Sequence, residues 1–204
     1  MLLHWSPRSP FVRKVMIAAH ELGLVDRLTL RRTVVRMVAP NHDLLADNPL
    51  SKIPTLALDD GRVLIDSGLI CEYFDALAGG GRLIPTGEAR WMELSRHAMA
   101  TGMLDILILW RNERDKPPAT QTPAWLASFE TKARASLDRL QRDVEPIGDE
   151  TLRLSQIALG CSLSYLDFRF AALDWRAAHP ALAAWHETFK ARPSAQKTEI
   201  VDDS

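Results

Sequence analysis

Apolar and polar positions change their spacing several times along the first 78 residues. MLLHW at residues 1–5 is a short apolar run, which predicts a buried strand. SPFVRKVMIAAHELGL then repeats apolar positions about every 3.6 residues and reaches Gly23, where a helix would end. DRLTLRRTVV predicts a second strand, and APNHDLLADNPLS is rich in turn residues with at most a short helix at its centre.

A hairpin gives the clearest local signal in the chain. In TLALDDGRVLID, two alternating runs flank Asp60 and Gly61, a pair typical of a two-residue turn between antiparallel strands. SGLICEYFDALA then returns to a helical period. The predicted order of strand, helix, strand, helix, strand, strand and helix indicates a small α/β domain over residues 1–78.

Residues 79–87, GGGRLIPTG, interrupt this alternation and are predicted to be a linker, because glycine and proline break both helices and strands. Residues 88–204 are predicted to form an all-helical domain. Its first helix is long, with Trp91 and Leu109 among the apolar positions at helical spacing. LSQIALGCSLSYLDFRFAAL is too apolar for a surface helix and is predicted to be the buried central one.

Composition and charge narrow the class of protein. The 204 residues are 47% apolar, enough for a core, and the net charge is −1 with acidic and basic residues intermixed. This pattern predicts neither a nucleic-acid surface nor a membrane segment, and the first residues lack the pattern of a secretory signal. Cys71 and Cys161 have neither disulfide nor metal-site spacing. We expect a reduced, cytoplasmic protein with no metal.

Three short motifs carry candidate chemistry. Ser9 precedes Pro10 at the predicted start of the first helix, so a plain N-cap is favoured locally, although a hydroxyl there can also stabilise a negative charge. Ser6 is the alternative serine. Pro54 stands at the entrance of a strand, where proline is tolerated and a cis bond would turn the Ile53 backbone outward.

The third motif, Asp66-Ser67, lies between the hairpin and the next helix. It reads either as an N-cap or as a site for a ligand that carries both an amine and a carboxylate. The carboxylate of Asp66 suits the amine. The hydroxyl and backbone N–H of Ser67 suit the carboxylate of such a ligand.

In this order, the segments SPFVRKV, NPLSKIPTL, DSGLICEYFD, GCSLSYLDFRF and ARPS resemble the cytosolic glutathione S-transferase family, and most closely its serine-type bacterial members. The resemblance covers the whole chain. It implies a thioredoxin-like N-terminal domain, an all-α C-terminal domain and glutathione as co-substrate. It also implies a homodimer, packed through the first domain of one subunit and the second domain of the other.

Residue by residue, the resemblance assigns Ser9 as the serine that stabilises the glutathione thiolate. It assigns the Ile53 backbone to the cysteinyl part of glutathione, and Asp66 with Ser67 to the γ-glutamyl end. The remaining glutathione contacts that it implies are Lys52 and Phe11.

Two positions depart from the family pattern. Asp66 is one methylene shorter than the glutamate or glutamine of many relatives, which lengthens or loosens its contact with the amine. The lysine that plant serine-type relatives have upstream of Asn-Pro is absent here. Asn41, His42 and Lys52 are the alternatives for the glycyl carboxylate.

The electrophile pocket is expected between the domains, with Trp5, Met99 and Met103 as candidate lining and Trp110 as a further candidate. A core or dimer-contact role stays open for each. The leading function is addition of the glutathione thiolate to a small apolar electrophile. The alternatives are a glutathione-dependent isomerase or lyase, and a non-catalytic glutathione-binding or interaction module.

Two expectations concern folding rather than chemistry. The apolar central helix should begin with a capping box, but Arg153 stands where a serine or threonine belongs, and only Gln156 fits. Since arginine offers no capping oxygen, we expect a cap weaker by about 1 kcal/mol. The polar segment QKTEIVDDS, residues 196–204, is expected to be loosely held.

Overall fold

The computed structural model describes residues 1–148 and 152–203. Its first half confirms the predicted order of elements. In chain order they are β1 (Leu2–Trp5), α1 (Pro10–Glu21), β2 (Thr29–Arg32), α2 (His42–Leu45), β3 (Thr55–Ala57), β4 (Val63–Ile65) and α3 (Ser67–Leu77). A short 3-10 turn at Val25–Arg27 precedes β2.

The four strands form one mixed sheet in the order β2-β1-β3-β4. β2 runs parallel to β1 because α1 connects them, whereas β3 is antiparallel to both β1 and β4. His4, Thr55 and Ile65 lie side by side in the register of β1, β3 and β4. This small sheet with packed helices is the expected thioredoxin-like domain.

α1 is buried on more than its apolar face. Val12, Val15 and Ile17 are fully buried, but so is Lys14, and Arg13 is nearly so. The reason is that α1 packs against α3 of its own half and also against helices of the second half. The guanidinium of Arg13 donates to the Ala195 carbonyl at 3.2 Å.

The second half is helical, as predicted. Its elements are α4 (Ala89–Arg114), α5 (Pro123–Asp143), α6 (Leu154–Arg169), α7 (Trp175–Ala178), α8 (Pro180–Lys190) and α9 (Pro193–Gln196). α6 packs against α1, α4 and α8, so the prediction of a buried central helix is confirmed. At Gly160, a Cβ atom would lie 2.2 Å from the ring of Phe189, so α8 approaches α6 at a distance that only glycine allows.

The buried face of α4 differs from the sequence pattern. Trp91 and Leu109 are 64% and 48% exposed, whereas Met103, Leu104 and Leu107 face the core. Apolar spacing identifies a helix correctly, but α4 carries apolar side chains on two faces, and the pattern alone does not say which face packs inward. The outward face therefore leaves large apolar side chains in solvent.

A single carboxylate orders the glycine-rich connection between the halves. Asp75, buried near the end of α3, accepts hydrogen bonds from the backbone N–H groups of Gly81, Arg82, Leu83 and Ile84 at 2.9 to 3.2 Å. These bonds satisfy buried donors that the irregular backbone would otherwise leave unpaired.

The start of α6 is capped from another helix. Arg153 supplies no capping oxygen, as expected, and its guanidinium instead donates to the Gly81 and Arg82 carbonyls. The buried carboxylate of Glu93 on α4 accepts from the Ser155 N–H at 2.6 Å and from the Ser155 hydroxyl at 2.9 Å. Gln156 Oε1 accepts from the Arg153 N–H at 2.9 Å, as predicted, and Glu93 adds an acceptor from 62 positions away that the sequence pattern did not reveal.

The segment after α9 is not free in solvent. Asp202 and Asp203 form ion pairs with arginines of both halves, which the polar sequence of residues 196–204 did not predict. Ser204 lies outside the described residues. Among the helices that the structure describes, none has the length and hydropathy needed to cross a bilayer.

Candidate functional site

The three motifs meet at one edge of the sheet. β1 leads into the loop with Ser9, β3 begins just after Pro54, and β4 ends just before Asp66. Because β3 runs opposite to β1 and β4, its first residue lies beside the last residues of the other two strands. Segments that are far apart in sequence therefore line one continuous edge.

Ser9 is the N-cap of α1. Its Oγ accepts a hydrogen bond from the Val12 N–H at 3.2 Å, and Pro10 occupies the first helical position. Within the described residues, the Ser9 hydroxyl donates to no acceptor, so its proton can be donated to a ligand. No acidic residue lies in the first turn of α1, so the positive end of the helix dipole is not neutralised there.

The other polar side chains near Ser9 are less suited to a ligand. Ser6 is buried, with 7% exposed, and lies outside the helix; its Oγ accepts from the Arg8 N–H at 3.4 Å, and its hydroxyl, like that of Ser9, donates to no described acceptor. The guanidinium of Arg13 reaches Ala195, and that of Arg8 reaches Asp203 at 2.9 Å. Ser9 is thus the serine of this loop that combines a helix N-terminus with an available hydroxyl.

Ile53 offers a free backbone. The Ile53–Pro54 bond is cis, and neither the N–H nor the carbonyl of Ile53 has a hydrogen-bond partner among the residues the structure describes. The neighbouring Lys52 carbonyl, by contrast, accepts from the Asn48 amide at 3.0 Å and from the Thr55 hydroxyl at 2.8 Å. The Lys52 carbonyl is therefore hydrogen-bonded within the protein, whereas the N–H and carbonyl of Ile53 are available to a ligand.

Asp66 and Ser67 occupy the start of α3. One Asp66 oxygen, Oδ1, accepts from the N–H groups of Gly68 at 2.7 Å and Leu69 at 3.1 Å, which leaves Oδ2 open on an exposed side chain. Asp66 has φ of 79°, an uncommon value for a residue with a Cβ atom. The Ser67 hydroxyl has no partner in the described part of the chain, but Ser67 is only 3% exposed, whereas Asp66 is open to solvent.

The three residues considered for the glycyl carboxylate of glutathione differ in whether their side chains are already hydrogen-bonded. The Asn41 Oδ1 caps α2 by accepting from Asp43 and Leu44, and its amide donates to the Val34 carbonyl at 2.9 Å. Its side chain is therefore committed to the fold. Lys52 and His42 are exposed, and neither side chain has a hydrogen bond or ion pair with another described residue.

A buried polar cluster behind α3 was not predicted from the sequence. The Lys14 ammonium is 3.0 Å from His97 Nε2 and 3.2 Å from Thr101 Oγ1. Burial lowers the pKa of Lys14, and burial together with the Lys14 charge lowers the pKa of His97 to about 3. A Cβ atom on Gly68 would lie 2.9 Å from the His97 ring, so His97 packs against the first turn of α3.

The predicted pocket residues lie in different surroundings. Met103 is 1% exposed and packs in the core, so it lines no open pocket in this structure. Met99 lines a cavity of 640 Å³ between α4, α5 and α6, to which no residue before Met92 contributes, so Trp5 and Ser9 are outside it. Trp5, half-buried at the end of β1, lies at the same sheet edge as Ser9.

The two cysteines are buried thiols of low reactivity. Both are buried and free, and burial raises the pKa of Cys71 to about 12 and that of Cys161 to about 11. No group of three or more histidine, cysteine or acidic side chains in the described ranges is arranged to hold a metal ion.

Comparison with known proteins gives one family. Residues 8–77 match the family model "Glutathione S-transferase, N-terminal domain", and residues 123–188 match "Glutathione S-transferase, C-terminal domain". The uncharacterized GST-like protein YibF of Escherichia coli K12 is 29% identical over 98% of both chains.

Solved structures agree with this result. A glutathione transferase family member from Pseudomonas fluorescens Pf-5, with bound glutathione, is 38% identical over 98% of both chains, with a TM-score of 0.92. A second structure from the same organism, with bound S-(propanoic acid)-glutathione, is 36% identical over 98% of this chain and 100% of that one, with a TM-score of 0.88. The chain belongs to the glutathione S-transferase family.

Proposed function

We propose that this protein is a glutathione transferase that adds the glutathione thiolate to a small apolar electrophile. The observation that carries the proposal is a row of polar groups along one sheet edge that have no hydrogen-bond partner in the described residues: the Ser9 hydroxyl proton, the Ile53 peptide and the Asp66 Oδ2. The two Pseudomonas fluorescens structures, which contain glutathione or an S-substituted glutathione, support it.

The tripeptide fits this edge in one direction. Its cysteinyl N–H and carbonyl pair with the Ile53 backbone as an added strand would. Its γ-glutamyl amine meets Asp66, and its γ-glutamyl carboxylate meets the Ser67 hydroxyl and N–H at the start of α3. Lys52, which directly precedes Ile53, takes the glycyl carboxylate, because the Asn41 side chain is already committed.

This placement brings the thiol to the start of α1. A free thiol has a pKa of about 8.5, so only a small fraction is ionised at neutral pH. The helix dipole and a hydrogen bond from Ser9 both favour the charged form. The Phe11 N–H, the first in α1 because Pro10 has none, adds a further donor at this end. The thiol proton leaves to solvent, and the sulfur lone pair forms the new bond to carbon as the electrophile's π bond opens, after which the resulting anion takes a proton from solvent.

Apolar surface for the electrophile comes from both halves. Trp5 lies at the sheet edge. On the helical side, Trp110 packs on Phe170 with ring centroids 4.6 Å apart. Trp110 and Phe170 are 8% and 5% exposed, so they back a pocket from within the core rather than line it openly. Phe170 follows Arg169, whose guanidinium shares Asp202 with Arg8 of the Ser9 loop, and we assign the electrophile to the cleft between this loop and the end of α6.

Titration of the bound thiol tests the proposal. The ultraviolet absorbance of the thiolate, followed against pH with glutathione bound, should give a pKa at least about one unit below the free value. Product analysis then separates the alternatives, since a transferase consumes glutathione and an isomerase regenerates it. Glutathione that binds with an unshifted thiol supports a binding module, and failure to bind overturns the whole site assignment.

Exposed apolar side chains near the start of α4 support the expected homodimer. Trp91 and Met92 on α4 and Leu69 on α3 lie in solvent, and the ion pair of Arg90 with Glu72 joins α3 to α4 at this point. A cluster of large apolar side chains in solvent is typical of an interaction surface. Light scattering should give twice the chain mass, and Trp91→Glu should reduce it to one chain. A wild-type mass of one chain at micromolar concentration would contradict the dimer.

A further inference from the structure

Three arginines from separate elements meet on the acidic segment Asp202–Asp203. Arg8 lies in the loop between β1 and α1, Arg32 ends β2, and Arg169 ends α6. One Asp203 oxygen accepts from Arg8 Nε at 2.9 Å, and the other accepts from Arg32 Nε at 2.6 Å. Asp202 is 3.2 Å from Arg169 and 3.7 Å from Arg8. We refer to Arg8, Arg32 and Arg169 as the arginine clamp.

The clamp lies beside the thiol end of the proposed glutathione site. Arg8 immediately precedes Ser9, and Arg32 stands opposite Trp5 in the register of β1 and β2. Arg169 reaches the same carboxylates from the helical half, so the clamp bridges the two halves. A group bonded to the glutathione sulfur has to enter this cleft, because the sheet edge itself is taken by the tripeptide.

The geometry of the clamp suits a carboxylate. Two guanidinium groups hold the two oxygens of Asp203 separately, an arrangement typical of carboxylate recognition by arginine. Among the described groups, three guanidinium groups pair with two carboxylates. The Nε of Arg169 is buried and has no hydrogen-bond partner in the described ranges, so the terminal nitrogens of this guanidinium are the donors that a ligand can reach.

The acidic segment is also easy to displace. The side chains of the clamp are 22% to 32% exposed, and those of Asp202 and Asp203 are 41% and 30% exposed. Ion pairs with this much solvent contribute little each and are screened by salt. A carboxylate attached to bound glutathione can compete with Asp203 for the arginines, because binding of the tripeptide holds that carboxylate at a high effective concentration beside the clamp.

We propose that the arginine clamp is a subsite for a carboxylate on the electrophile, and that Asp203 occupies it until the substrate displaces it. This inference rests on the proposed function and narrows its substrate class: the electrophile has an apolar reacting part and an acid group at its far end. The reaction itself is unchanged, because the clamp holds the substrate and touches neither the sulfur nor the bond that forms.

Binding of four glutathione conjugates tests the subsite without turnover. The probes are S-(2-carboxyethyl)glutathione and S-(4-carboxybenzyl)glutathione, each paired with its carboxamide, which has nearly the same shape and no charge. Calorimetry on the double variant Asp202→Asn/Asp203→Asn, which lacks the competing carboxylates, should show at least one acid binding about tenfold tighter than its amide. The wild type should show a smaller preference, and salt should weaken it.

Arginine variants made in the Asp202→Asn/Asp203→Asn protein show whether the clamp causes the preference for the acid. Arg169→Gln should remove most of that preference. Arg32→Gln, on the edge strand, should have the same effect and serves as the test if Arg169→Gln does not fold. Arg134→Gln is the matched control, since it removes one arginine charge from the exposed face of α5 and should keep the preference.

Two results overturn the inference. One is equal binding of acid and amide at both lengths by the double variant. The other is a preference that survives loss of a clamp arginine in a folded protein. In either case, unsubstituted glutathione that binds with a lowered thiol pKa shows that the proposed function still stands. Failure to bind glutathione at all defeats the proposed function instead.

Discussion

The Ser9 Oγ accepts a hydrogen bond from the Val12 N–H at 3.2 Å, and this contact bears on both the capping role of the serine and its proposed chemical role. The cap uses an oxygen lone pair, whereas stabilisation of a thiolate uses the hydroxyl proton. The two roles therefore do not compete. A donated N–H also polarises the hydroxyl and strengthens its own donation.

Ser9→Ala should lose both roles. We expect turnover to fall about 10- to 100-fold, because a hydrogen bond to a charged atom contributes about 1.5–3 kcal/mol, with little change in the KM for glutathione. Loss of the cap should lower the free energy of unfolding by about 1 kcal/mol. Initial rates and urea unfolding measure the two effects separately.

Two further variants separate catalysis from capping. Ser9→Thr keeps a hydroxyl and a cap, so it should retain most activity, and Ser6→Ala should leave the bound thiol pKa unchanged. Unaltered turnover in Ser9→Ala, or a loss confined to Ser6→Ala, would refute the assignment of Ser9.

Asp66 should act on affinity rather than on rate. Asp66→Asn keeps an oxygen for the Gly68 and Leu69 N–H groups, and asparagine tolerates the positive φ of 79°. It loses the charge that faces the amine, so the Kd of glutathione should rise about tenfold, or about 1.4 kcal/mol, with stability nearly unchanged. Asp66→Ala should weaken binding similarly and also destabilise α3 by about 1 kcal/mol. Equal affinities of wild type and Asp66→Asn, measured by calorimetry, would place the amine elsewhere.

Glu93 should matter for folding and not for binding. Glu93→Ala leaves the Ser155 N–H at the buried start of α6 without an acceptor, so we expect a loss of about 1–3 kcal/mol. Glu93→Gln keeps one acceptor oxygen and should lose less. Urea midpoints give the order wild type, glutamine variant, alanine variant. If all three coincide, the cross-helix cap contributes nothing.

These contacts show where prediction from the sequence ends. The boundaries at Ser9, Ile53 and Asp66 could be predicted from residue type and spacing, because each lies where a strand meets a helix or turn, whereas their proposed roles came from the family resemblance. The contact of Lys14 with His97 spans 83 residues, and that of Arg32 with Asp203 spans 171. Such contacts depend on how the two halves pack, which no local pattern encodes. Met103 shows the same limit: spacing predicts its helix but not which face points inward, so the core and pocket alternatives for this residue stayed open until its burial, at 1% exposed, was known.

The buried pair of Lys14 and His97 predicts how stability depends on pH. An unfolded histidine has a pKa of about 6.5, whereas burial, with the Lys14 charge as the second cause, lowers the pKa of His97 to about 3 in the native protein. Between these values the unfolded chain binds a proton that the native chain does not. Native stability is therefore complete above pH 6.5 and falls as the pH decreases towards 3.

Replacement of His97 by a group that does not titrate should flatten this dependence. One histidine contributes a slope of up to about 1.4 kcal/mol per pH unit, and His97→Gln, whose amide oxygen can still accept from Lys14, should remove part of the acid-side slope. His42→Gln, on the exposed surface of α2, is the control and should leave the slope as in the wild type. Urea unfolding at several pH values between 3.5 and 7 measures all three proteins. A wild-type slope in His97→Gln would mean that the native protein binds a proton at His97 as the unfolded chain does. The imidazole of His97 would then not be the neutral acceptor of a hydrogen bond from Lys14.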